Sequence, residues 1–127
     1  EKQASILRKN RIPFFFNSLS EDAALAALAD KKFISACAKK NAKERVFLFE
    51  QLKEKGLNVI SSQGNFLYVH FDLEAEKEKT FNRFIENGLL ICNLKIFGQD
   101  KTLRITIGDN EVSRKIAQIT DSGTKKK

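Results

Sequence analysis

Asn58-Val59-Ile60-Ser61-Ser62-Gln63-Gly64-Asn65-Phe66-Leu67-Tyr68-Val69-His70-Phe71 is the stretch on which the fold turns, because the helical period of the residues before it breaks here. Two short runs rich in β-branched and aromatic residues, 58–61 and 66–71, flank the turn-forming Ser62-Gln63-Gly64, which predicts a β-hairpin. Upstream, Phe33, Cys37, Val46, Phe49 and Leu52 recur at roughly helical spacing, so a long helix is expected over 33–55, with Gly56 as its stop. An earlier helix is expected to be capped by Ser18 or Ser20, with Glu21 and Asp22 in its first turn and the small-residue run 23–29 suited to close packing. Residues 1–9 read as the end of a helix, and Pro13 before Phe14, Phe15 and Phe16 predicts an extended segment.

Downstream, Phe81, Phe84 and Ile85 place one apolar face on a helix over 75–87, which Gly88 ends. Apolar strands are expected over 89–94 and 102–107, separated by a loop containing Gly98-Gln99-Asp100-Lys101. A last helix starts near Asp109 or Asn110, with Val112, Ile116 and Ile119 turned inward, before the polar tail 122–127. The order is therefore helix, helix, strand, strand, helix, strand, strand, helix. This is an α/β (α+β) sandwich in which helices pack on a mostly antiparallel or mixed four-stranded sheet.

The 127 residues suffice for one domain with its own core, and 42% hydrophobic with 31% charged residues is globular composition. The chain begins at Glu1 and contains no Met, which suggests a piece of something longer. A net charge of +7 would suit a polyanion if it were clustered. The lysines are instead scattered among polar residues, as on a solvated face. Cys37 and Cys92 form no CxxC pair, so they are expected to be buried reduced thiols of a cytosolic protein rather than metal ligands. No apolar run of membrane-spanning length and no signal-like segment is present.

Three segments carry a resemblance. They are Arg11-Ile12-Pro13-Phe14-Phe15-Phe16-Asn17-Ser18-Leu19-Ser20 running into the alanine-rich helix, Ser61-Ser62-Gln63-Gly64-Asn65-Phe66-Leu67, and Leu103-Arg104-Ile105-Thr106-Ile107-Gly108. In this order and spacing they resemble the C-terminal part of histidinol-phosphate aminotransferases, over about residues 1–120. The resemblance implies the small C-terminal domain of a fold-type I, pyridoxal-phosphate-dependent transaminase. Residues 1–17 would be an inter-domain segment, 18–121 the small domain and 122–127 a basic tail. It also implies a coenzyme held by a missing large domain, an amino-acid or 2-oxo-acid substrate, a homodimer when full length, and a cytoplasmic enzyme.

By position, the resemblance makes Arg104 the residue that grips the substrate α-carboxylate, since a planar guanidinium offers two parallel charge-assisted bonds where lysine offers a point charge. Arg104 also stands out by itself, interrupting an apolar strand between Leu103 and Ile105; the plainer readings are a strand-edge arginine reaching solvent or pairing with Asp109. Asn65 either lines the same cleft or is an ordinary turn residue, and Asn17 reads as a helix cap. Relatives that handle a phosphorylated substrate carry a second arginine near the end of the preceding strand, where Ile91-Cys92-Asn93-Leu94 offers Asn93 as the substrate-side residue. A neutral amide does not supply that charge, and Arg83 and Lys95 are the candidates to compensate. The Schiff-base lysine and the phosphate-cup residues would precede residue 1, so this chain alone is expected to bind no coenzyme, hold no metal and transaminate nothing.

Two other classes remain in view. Phe66, Tyr68 and His70 alternate along one strand of a basic chain, as on a sheet that stacks RNA bases, although no RNP-like cluster of cations surrounds them and such aromatics more often form core. A non-catalytic module of aminotransferase descent is the other. His70, the only histidine, is expected at a partly wet strand position, and the carboxylates Glu74, Glu76 and Glu78 form a solvated face. Neither a dinucleotide nor a P-loop glycine motif is present.

Overall fold

In a computed structural model, residues 2–12 and 17–121 are described. The expected extended segment at Pro13 to Phe16 and the tail 122–127 lie outside them. The elements are α1 (Lys2–Lys9), α2 (Ser18–Ala29), α3 (Lys31–Glu54), β1 (Asn58–Ile60), β2 (Phe66–His70), α4 (Glu74–Glu86), β3 (Cys92–Asn93), a 3-10 turn (Leu94–Phe97), β4 (Thr102–Thr106) and α5 (Asn110–Asp121). The chain divides into two compact units, 1–36 and 37–127.

The first unit is helical. Asn17 caps α2, its Oδ1 accepting from Ser20 N at 2.8 Å, so the cap lies one residue before the expected serines and Asn17 is the capping residue. The alanine run of α2 buries no residue, in contrast to the close packing expected of it.

The second unit holds the sheet, which is wholly antiparallel in the order β1-β2-β4-β3. Leu67, Val69, Leu103 and Ile105 leave one face of it and meet Leu48 and Leu52 of α3, Phe84 of α4, and Ile116 and Ile119 of α5, all within one buried cluster. Burying this many apolar side chains is the main force holding the layer together. The inward stripe of α3 is Glu44, Leu48 and Leu52, one turn apart, whereas Val46 is exposed; a glutamate in the stripe hid it from a count of apolar residues. On α4, Phe84 is buried but Ile85 is exposed, and Lys77 is unexpectedly buried in its place on the inner face.

The strand expected over 89–94 shrinks to two residues. At its start, Leu89 N donates to Phe84 O and Gly88 N to Ile85 O, both at 2.9 Å, a left-handed helix end for which Gly88 supplies φ +75°. At its end, Leu94 already belongs to the 3-10 turn. The cysteines are not buried: Cys37 is exposed, two turns before Glu44 on the same face of α3 but ahead of the point where that face becomes buried, and the half-buried Cys92 faces away from the helices.

Candidate functional site on the open face of the sheet

Antiparallel register decides which side chains share a face. Tyr68 and Cys92 are the partners of Arg104 on either side, Phe66 pairs with Thr106, and His70 pairs with Thr102. Because Leu103 and Ile105 face the helices, this second set faces away from them, on the side of the sheet opposite α3, α4 and α5. The alternating aromatics Phe66, Tyr68 and His70 are therefore half-buried residues of the open face, and Leu67 and Val69 take the core positions that aromatics at this spacing were expected to fill.

Arg104 sits on β4, an interior strand hydrogen-bonded to β2 and β3, so it is not a strand-edge arginine. Its Cζ lies 5.8 Å from the centroid of the Phe66 ring, which in turn is tilted against Tyr68 with centroids 5.0 Å apart. Arg104 Nε is buried and makes no hydrogen bond. The guanidinium borders a cavity of about 480 Å³ lined also by Ile60, Tyr68, His70, Leu94, Phe97 and Thr102. Asp109, the acid expected as an alternative partner, instead accepts from Val112 N at 3.0 Å and so caps α5. His70 Nδ1 lies 3.1 Å from Thr102 Oγ1, which fixes the imidazole on the cavity wall.

The other sequence-selected residues are placed differently. Asn65 is exposed just before β2, and its backbone O accepts from Ile107 N at 2.8 Å, extending the β2–β4 ladder by one step. Asn93 pairs with Leu103, so it leaves the sheet on the face opposite Arg104. There its Oδ1 accepts from Lys77 Nζ at 3.1 Å and from Lys95 N at 3.1 Å. Lys95 Nζ donates to Glu74 Oε1 at 2.8 Å, and Arg83 lines a neighbouring cleft that shares His70 with this one; neither borders the Arg104 cavity. Hydrogen bonding to Lys77 first and Asn93 second holds the Glu78 carboxyl below its ordinary range; Lys95 does the same for Glu74, and Glu74 raises the Lys95 ammonium.

Sequence reasoning missed the supports of this face. Arg45 Nη1 donates to Gly64 O at 2.9 Å and Asn41 Nδ2 to the same oxygen at 3.3 Å, pinning the loop that leads into β2. Their spacing of one helical turn on α3 was a legible signal, but the loop carbonyl they meet was not.

Among the described residues no group of three His, Cys, Asp or Glu is placed to hold a metal, and no helix is long and apolar enough to cross a membrane. The cavity lining offers one guanidinium and no lysine, and the buried Lys77 amine is engaged on the opposite side of the sheet. The lining of this cavity does not by itself fit a coenzyme that must be held as a Schiff base.

The model of the class I and II aminotransferases matches residues 1–119. The chain belongs to that family. Among its aminotransferase relatives, the histidinol-phosphate aminotransferase of Shouchella clausii is 37% identical over 99 residues, which is 78% of this chain and 26% of that protein. The one from Helicobacter hepaticus is 36% identical over 116 residues, 91% of this chain and 30% of that protein. The chain thus spans about a quarter to a third of the length of the curated aminotransferases it matches. Its fold is similar to that of histidinol-phosphate aminotransferase from Sinorhizobium meliloti in complex with pyridoxal-5'-phosphate, with TM-score 0.75 and 22% identity over 95% of this chain and 33% of that one. The aminotransferase from Clostridium acetobutylicum gives TM-score 0.72 at the same 22% identity, over 95% of this chain and 37% of that one.

Proposed function

We propose that this chain is the small domain of a pyridoxal-phosphate-dependent transaminase of the histidinol-phosphate aminotransferase type, and that Arg104 binds the substrate α-carboxylate. The observation that carries the reading is a half-buried guanidinium on an interior strand whose Nε has no partner and whose side chain borders an open cavity. A guanidinium taken partly out of water needs an anion, and the acid near it in sequence is committed to a helix cap. A carboxylate of an amino acid or 2-oxo acid supplies that anion, and the planar fork fixes its orientation.

In this reading residues 18–121 form the small domain, and a large domain of the full-length cytoplasmic enzyme holds the coenzyme and the Schiff-base lysine. Substrate lies between the two, and the active enzyme is a homodimer. The chain alone transaminates nothing. The single guanidinium lining the cavity supports a substrate recognised through its α-carboxylate. A base-stacking surface for RNA would need further cations along the aromatics, which the lining does not supply.

The test is Arg104→Lys in the full-length enzyme. Catalytic efficiency is expected to fall by roughly tens to thousands of fold through loss of the bidentate grip. An unchanged enzyme overturns the assignment. Addition of pyridoxal phosphate to the 127-residue chain should produce no absorbance band of a lysine-bound coenzyme.

A further inference from the structure

Lys77 is the least expected residue of the core: its side chain is 0% exposed in the first half of α4. Its ammonium donates to Glu78 Oε1 at 2.7 Å and to Asn93 Oδ1 at 3.1 Å, and Asn93 Nδ2 donates to Glu78 Oε1 at 3.3 Å. Beside it, Lys95 pairs with Glu74. Every one of these side-chain contacts between residues distant in sequence joins α4 to the short stretch 93–95.

Beyond the burial of Leu94, what ties that stretch to the sheet is a short ladder. β3 has two residues and two register pairs, Cys92 with Arg104 and Asn93 with Leu103. A ladder so short specifies register poorly, and a slip of one residue exchanges the two faces. Such a slip would turn Asn93 toward Arg104 and Cys92 toward α4, leaving the buried Lys77 ammonium with one acceptor fewer. An apolar side chain at position 77 could fill the space without that cost, but it would be equally content with either register. The polar pair therefore selects one register, as a buried polar residue does at a helix–helix seam. What the register sets is one side of the Arg104 site: Cys92 is the strand partner of Arg104, and the 3-10 turn that follows places Leu94 and Phe97 on the cavity.

We propose that Lys77 is a positioning residue for the Arg104 site, fixing through Asn93 the register of β3 and hence the wall against which a bound carboxylate is held. The proposal rests on the reading of Arg104 given above.

The experiment is a double-mutant cycle in the full-length enzyme with Lys77→Met and Arg104→Lys, run well below the thermal midpoint of every variant. Lys77→Met is expected to raise KM for the amino-acid substrate about tenfold, with kcat changed less than about twofold, since displacing a binding group by a fraction of an ångström is felt in binding. In the Arg104→Lys background the same substitution should change KM by less than about twofold, because the group it positions is already gone. Asn93→Ala, which leaves Lys77 its glutamate, should repeat both results if Lys77→Met folds poorly. A lowered midpoint with unchanged KM, or an equal KM effect in both backgrounds, overturns the positioning role. An Arg104→Lys enzyme with unchanged KM and kcat overturns the reading of Arg104 instead.

Discussion

The Phe66 ring lies 5.8 Å from Arg104 Cζ across neighbouring antiparallel strands, so the guanidinium is held by an aromatic face instead of an acid. The charge is thereby oriented without being neutralised, which suits a group that must still bind an anion. A contact of this kind is worth about 0.5–1 kcal/mol even at an exposed site, so Phe66→Ala in the full-length enzyme should raise KM for the substrate by at least about two- to fivefold. Steady-state kinetics with the amino donor varied would measure it, and an unchanged KM would show that the ring does not orient Arg104.

Glu78 gives the chain a pH-dependent tie. Lys77, then Asn93, holds its carboxyl below the ordinary 4.5. A depressed carboxylate contributes stability that is complete above the unfolded value and lost as pH falls through the folded one. Urea midpoints should therefore separate wild type from Glu78→Gln at pH 7 and converge as pH drops below that window. The Lys95 ammonium, raised above 10.5 by Glu74, acts in the opposite sense: its contribution is present below that value and lost as pH rises through the folded one.

Gly108 joins β4 to α5 where there is no room for a side chain. A Cβ there would stand 2.7 Å from Val112 Cβ and Cγ1, and Val112 packs against the core. Gly108→Ala should destabilise the chain by about 1–3 kcal/mol through overpacking, read as a lower urea midpoint at unchanged m.

Asp109 should behave as a cap and nothing else. Replacing it by Ala removes the acceptor for Val112 N and should cost about 0.5–2 kcal/mol of unfolding free energy. In the full-length enzyme KM should stay near wild type, and a large rise would mean that the carboxylate serves Arg104 after all.

Much of the fold could be read from period alone. Helices around 33–55, 75–87 and from 110, and the hairpin at 58–71, announce themselves by spacing and by glycines at their ends. The faces were harder. Phe66, Tyr68 and His70 alternate with the equally apolar Leu67, Val69 and Phe71, so periodicity does not choose between them, and only the helices packed on Leu67 and Val69 settle it. Strand β3 was overestimated because a helix cap uses Leu89 and a 3-10 turn takes Leu94, both competing with pairing for the same backbone groups. Lys77 and Glu44 were invisible for another reason: charged residues are read as solvated, and burial of either depends on a partner far away in sequence. Arg104 was singled out by its interruption of an apolar strand and by resemblance; its aromatic neighbour and the opposite orientation of Asn93 needed the register.

The strand that is last along the chain, β4, is inner in the sheet, between β2 and β3. A growing polypeptide that has reached residue 100 holds a hairpin whose better edge is still bare, and β3 has nothing to join. Assembly of this layer therefore waits for a late, non-local insertion, and until it arrives the waiting edge is open to pairing with other chains.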